Sequence, residues 1–121
     1  MRIKVKEGIF KHVIKGRQGK LVCLPLYANG WCISSLAGTV RANVRLQENE
    51  VQIAPAENIT KATVLDDRVE VELKDSKIEI QKGSELVLSD DISLLDSAIL
   101  HCIWQLALKQ WTKNAKQESV I

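Results

Sequence analysis

Apolar and polar residues alternate with a period of two through most of the first three quarters of the chain. Ile3 and Val5 alternate with Arg2, Lys4 and Lys6, and Val40, Ala42, Val44 and Leu46 with Arg41, Asn43, Arg45 and Gln47. Val69, Val71 and Leu73 are interleaved with Arg68, Glu70, Glu72 and Lys74, and Ile78 and Ile80 flank Glu79. Successive strand side chains point to opposite faces, so each run turns one face to a core and one to water. That is the pattern of antiparallel sheet rather than of parallel sheet covered on both sides.

Turn signals separate the runs. Gly16-Arg17-Gln18-Gly19 follows a strand ending near Lys15, and Ala28-Asn29-Gly30 ends the apolar run Leu21 to Leu26. Further candidates are Glu48-Asn49-Glu50, Asp66-Asp67, Lys74-Asp75-Ser76 and Lys82-Gly83. Glycine and asparagine reach positive φ cheaply, which tight hairpin turns require. The spacing predicts about seven to nine short strands in a meander, forming a partly closed barrel or a sandwich.

The pattern then changes. From Ile92 to Asn114 there is no glycine or proline; Asp90, Asp91 or Ser93 can cap a helix start, and Lys109, Lys113 and Lys116 suit its negative end. At about 100° per residue, Leu94, Leu95, Ala98, Ile99, Cys102, Ile103 and Leu106 cover one broad face. Leu100, Trp104, Leu108 and Trp111 form a second apolar stripe on the far side. A helix lying on a flat sheet buries one face only. The second stripe therefore lies beneath another part of the body or binds something outside it, most simply a second copy in a homodimer.

These elements define an α+β fold of one domain over residues 1–121. The β-rich body spans 1–89, the helix 91–114 and a short polar tail 115–121. The outline of strands closed by a C-terminal helix carrying a tryptophan is similar to pleckstrin-homology-like domains. The resemblance covers the order of elements and implies no site residue.

Composition adds constraints. With 45% hydrophobic and 26% charged residues the chain can build one ordinary core. No apolar run approaches the roughly 20 residues needed to span a bilayer. The basic start, Met1 to Lys20, is not followed by an apolar secretion segment, so a cytoplasmic location is expected. Cys23, Cys32 and Cys102 lack CxxC spacing and read as buried reduced thiols.

Charge is segregated. Through Gln47 there are nine basic residues and one acidic, a net +8; from Glu48 through Asp96 there are five basic and thirteen acidic, a net −8. Cross-strand pairing of the two groups would neutralise them. Otherwise a basic patch of Lys4, Lys6, Arg17, Lys20, Arg41 and Arg45 could meet nucleic acid or an acidic protein, or the poles could drive head-to-tail assembly. The chain has one Phe, one Tyr and three Trp, too few to interleave a nucleic-acid-binding sheet face with stacking rings.

Little in the sequence points to chemistry. Gly16-Arg17-Gln18-Gly19-Lys20 could cradle a phosphate, but an apolar strand follows it where a phosphate loop needs a helix. Asp96 and His101 stand about 140° apart on the helix and cannot share a ligand. No hydrolase, zinc-protease or dinucleotide motif occurs, and no catalytic residue, metal or cofactor is expected. The expected function is a non-catalytic protein-interaction or assembly module acting through the C-terminal helix. Nucleic-acid binding by the basic half is the alternative, and a small enzyme or ligand carrier with a barrel pocket a second.

Overall fold

The computed structural model describes residues 2–5, 9–16, 19–26, 29–35, 37–55, 58–87 and 92–119. Among the described residues nine strands precede one helix: β1 (Arg2–Val5), β2 (Ile9–Gly16), β3 (Gly19–Pro25), β4 (Gly30–Ser35), β5 (Val40–Gln47), β6 (Glu50–Ala54), β7 (Ile59–Val64), β8 (Arg68–Leu73), β9 (Lys77–Gln81) and α1 (Leu94–Ser119). All nine strands belong to one antiparallel sheet in the order β1 to β9, each paired with its chain neighbours. The meander is the one the alternation predicts. It is a single continuous sheet that does not close, neither barrel nor sandwich, and among the described residues β1 and β9 are its two unpaired ends.

The alternation acts as expected along each strand. In β5, Ala42, Val44 and Leu46 are buried while Arg41, Asn43, Arg45 and Gln47 are exposed. In β8, Val69 and Val71 are fully buried. The predicted turns fall between strands, and Glu48 takes a left-handed φ of 59° in the two-residue loop joining Gln47 to Glu50. Register shifts between Ile33 and Ser34 and between Ile59 and Lys61 mark irregularities that bend the sheet.

Helix α1 lies inside this bend and contacts β2, β3, β4, β5 and β7. Ser93 caps it: its Oγ accepts the backbone N–H of Asp96 at 3.2 Å. The alternative caps Asp90 and Asp91 lie outside the described residues. The helix runs to Ser119, past the predicted end at 114, through residues that include no helix breaker. Its 26 residues span about 39 Å.

The second apolar stripe goes inward. Five consecutive residues, Asp96 to Leu100, are buried, as are Cys102, Ile103, Trp104, Leu106, Ala107 and Trp111. Only a wrapped helix buries consecutive residues, because five positions at 100° steps cover the whole circumference. Trp104 and Trp111 meet edge to face with centroids 5.5 Å apart. Trp111 Nε1–H donates to the Leu65 carbonyl at 2.8 Å, and Lys82 Nζ stands 5.9 Å from its ring. The stripe thus faces the β7–β9 end of the sheet.

Removing this anchor has a graded expected effect. Trp111→Phe should cost about 1–2 kcal/mol by orphaning the Leu65 carbonyl. Trp111→Ala should cost about 3–5 kcal/mol by adding a cavity. Denaturant unfolding followed by circular dichroism measures both, and a Trp111→Phe variant as stable as the parent would show that the indole hydrogen bond contributes nothing.

Candidate protein-interaction surface

Three of the four residues expected on an external helix stripe are enclosed by the chain's own fold. Leu100, Trp104 and Trp111 are 4%, 7% and 5% exposed, and only Leu108, at 39%, reaches solvent. This corrects the helix as a docking face: the curvature of the sheet, which alternation does not encode, covers the stripe. Of the basic residues, Arg41 and Arg45 share the outer face of β5 with Asn43, and Lys20 is exposed on β3. Lys4 falls on β1, while Lys6 and Arg17 lie outside the described residues.

The cross-strand neutralisation considered from sequence does not occur among the described residues. In a linear meander the basic early strands and the acidic late strands lie toward opposite ends of the sheet. The ion pairs seen among the described residues join residues after Glu48: Lys61–Glu50, Arg68 with Asp67, Glu70 and Glu79, and Lys77–Glu70. Arg41 and Arg45 have no carboxylate within salt-bridge distance among the described residues.

The features that sequence reasoning missed are at β9. The β8–β9 register pairs Val69 with Ile80 and Val71 with Ile78. Leu73 N–H donates to Ser76 O at 2.7 Å and Lys82 N–H to Asp67 O at 2.8 Å, in the same register. Hydrogen-bonded pairs alternate along an antiparallel ladder, so Ile78 and Ile80 direct their backbone groups to β8. Lys77, Glu79 and Gln81 direct theirs away from it, and of these the Gln81 carbonyl already accepts the Ser84 N–H at 3.1 Å. Among the described residues no strand pairs with that edge.

Apolar side chains lie beside the edge. Ile78 and Ile80 pack against the core yet remain half-buried. They line a groove of about 300 Å³ with Leu86, Val87, Ile92 and Leu100, and Val87 is 82% exposed. An edge strand bordered by uncovered apolar groups is an association-prone feature. The one sequence signal for it is the apolar cluster Leu86-Val87-Leu88, which the alternation leaves unassigned.

A second groove of about 230 Å³ at the start of α1 includes Asn58, Ser76, Ser93 and Asp96. Asp96 is buried; one carboxylate oxygen accepts from Asn58 Nδ2 at 2.7 Å, tying the approach to β7 to the helix. The other, Oδ1, has no hydrogen-bond partner among the described residues. The interior itself is filled by α1 side chains such as Ile99 and Ile103.

The three cysteines are free. Cys23 and Cys102 are buried as expected, and burial, with Cys23 and Cys32 nearby, pushes the Cys102 thiol well above its ordinary value. Cys32 departs from expectation: it is half-buried, with its sulfur 3.5 Å from Ser34 Oγ. No cluster of three metal-ligating side chains occurs among the described residues, and no helix there is long and apolar enough to cross a membrane. No protein-family model, curated protein or solved structure matches the chain.

Charges flank the β9 edge on the outer face. Partial desolvation pushes the Glu70 carboxyl up, but Lys77, with Glu79 and Arg68 beside it, outweighs this and holds it below its ordinary value. A folded value below the unfolded one stabilises the fold fully above the unfolded value, 4.5, and the gain is lost as pH falls through the folded value. The stability difference between the parent and Glu70→Gln should therefore be flat above about pH 6 and shrink on acidification below about pH 4.5. Unfolding titrations at stepped pH measure it; a difference that grows in acid would reverse the sign.

Proposed function

We propose that this chain is a non-catalytic protein-interaction module that accepts a partner strand at the outer edge of β9. The observation that carries the reading is the combination at one place of Lys77 and Glu79 backbone groups that pair with no strand among the described residues and an apolar groove bordered by the exposed Val87. Strand addition uses both: main-chain hydrogen bonds supply affinity, and alternate side chains enter the groove. The helix has a different task here, because enclosing it completes the core. A second copy of this chain or another protein would fill the edge. Three free thiols fit the cytoplasmic setting expected from the sequence.

Synthetic extended peptides test this reading. Nine-residue strands alternating isoleucine with lysine, with glutamate, or with both should be compared by fluorescence anisotropy with proline-broken controls. At least one should bind about tenfold more tightly than its control. Glu79→Pro should abolish the difference, because proline removes an outward N–H without touching a β8–β9 bond. Failure of every peptide to exceed its control would overturn the reading.

A second reading has its own support in Arg41 and Arg45, exposed on β5 and without a carboxylate partner among the described residues. It assigns the basic end of the sheet to an anionic polymer such as nucleic acid. Binding of single-stranded and duplex oligonucleotides should then fall with salt, and Arg41→Ala with Arg45→Ala should flatten the slope by about two units of log K per log salt. No binding at low salt would remove it.

A further inference from the structure

We infer that the partner strand at β9 is β9 of a second copy, joined antiparallel about a two-fold axis so that one sheet runs through both molecules. The inference rests on reading the β9 edge as the interaction surface. It adds a partner and a register, and both follow from charge and hydrogen-bond direction.

Only Lys77, Glu79 and Gln81 point backbone groups outward, so a two-fold register must oppose residues of this set. A register centred on Ile80 would set Glu79 against Gln81, whose carbonyl is taken by the Ser84 N–H, and would form no ion pair. Two others use the middle of the strand. One, centred on Glu79, sets Glu79 against Glu79 of the second copy, and like charges directly opposite are unfavourable. The other, centred on Ile78, sets Lys77 against Glu79 of the second copy and Glu79 against its Lys77. Both are outward hydrogen-bonding residues, so backbone and charge requirements are met together.

The side chains fit this second register. Lys77 and Glu79 are half exposed, at 50% and 47%, so each can extend its contacts with Glu70 and Arg68 into a ladder across the axis. On the inner face Ile78 meets Ile78 of the second copy. A two-fold axis normal to the sheet keeps both inner faces on one side, which brings the two grooves and their exposed Val87 side chains toward each other. An isologous contact of this kind closes at two copies and leaves the basic ends of both sheets free.

Sedimentation velocity over a range of concentrations tests the dimer, with circular dichroism confirming that each variant folds. The parent should dimerise with rising concentration, and Glu79→Pro should weaken the dimer at least about tenfold. Lys77→Glu and Glu79→Lys should each be monomeric where the parent is dimeric, because each places like charges across the axis. Mixed in equal amounts, these two variants should form a one-to-one heterodimer, since every opposed pair is again of opposite sign.

A parent that stays monomeric at all concentrations yet binds a probe peptide in a Glu79-dependent way would overturn the self-pairing and leave the interaction edge standing. A dimer unaffected by Glu79→Pro would overturn the β9 interface. Failure of the mixed variants to associate would overturn the register.

Discussion

The enclosure of α1 by a single bent sheet is the constraint on which the rest of the molecule depends. A helix with apolar residues around most of its circumference is stable in water only if something wraps it. Here β2 to β5 and β7 contact it, and the Trp104–Trp111 pair, with the Trp111 indole bonded to the Leu65 carbonyl, closes the far side. The sheet in turn relies on the helix, because its inner residues, such as Ile33, Val44, Val69 and Val71, have no second sheet to pack on. Neither layer is stable alone, which couples the last quarter of the chain to the first three.

Wrapping has a topological consequence. A meander places strands in chain order, so a charge gradient along the sequence becomes a charge gradient across the sheet. The basic segment occupies β1 to β5, with Arg41 and Arg45 outward on the central strand, and among the described residues the ion pairs collect in the acidic half. The open sheet also leaves an end strand whose outward amides find no partner in the described chain. At β9 that end coincides with half-buried isoleucines and an exposed valine. Polarity and open edge thus arise from one property, the linear order of the strands.

Much of this was legible beforehand. The alternation at Val40–Gln47 and Arg68–Lys74 located β5 and β8 and assigned their faces, because a period of two is local and sheet burial obeys it. The turn residues at Gly16–Gly19, Glu48–Asn49 and Lys74–Asp75 marked hairpins through the dihedral angles they accept. The start of α1 was narrowed to the caps Asp90, Asp91 and Ser93, and the structure has the Ser93 hydroxyl accepting the Asp96 amide. The interaction surface was less legible. Val87 resembles any core valine in sequence, and its exposure depends on where β9 ends relative to Ile92 before the helix and Leu100 on it.

By itself, the sequence determined that a meander of short antiparallel strands precedes a long helix, where several of those strands and turns lie, and that this helix carries two apolar faces. Each of these rests on interactions within a few residues. Only the tertiary structure decided that Leu100, Trp104 and Trp111 face inward, that the charged halves stand apart, and that β9 presents an open edge. Those outcomes depend on how far the whole sheet bends and on which strand comes last in it. Both are sums over many contacts between residues far apart in the chain, and no local pattern records them.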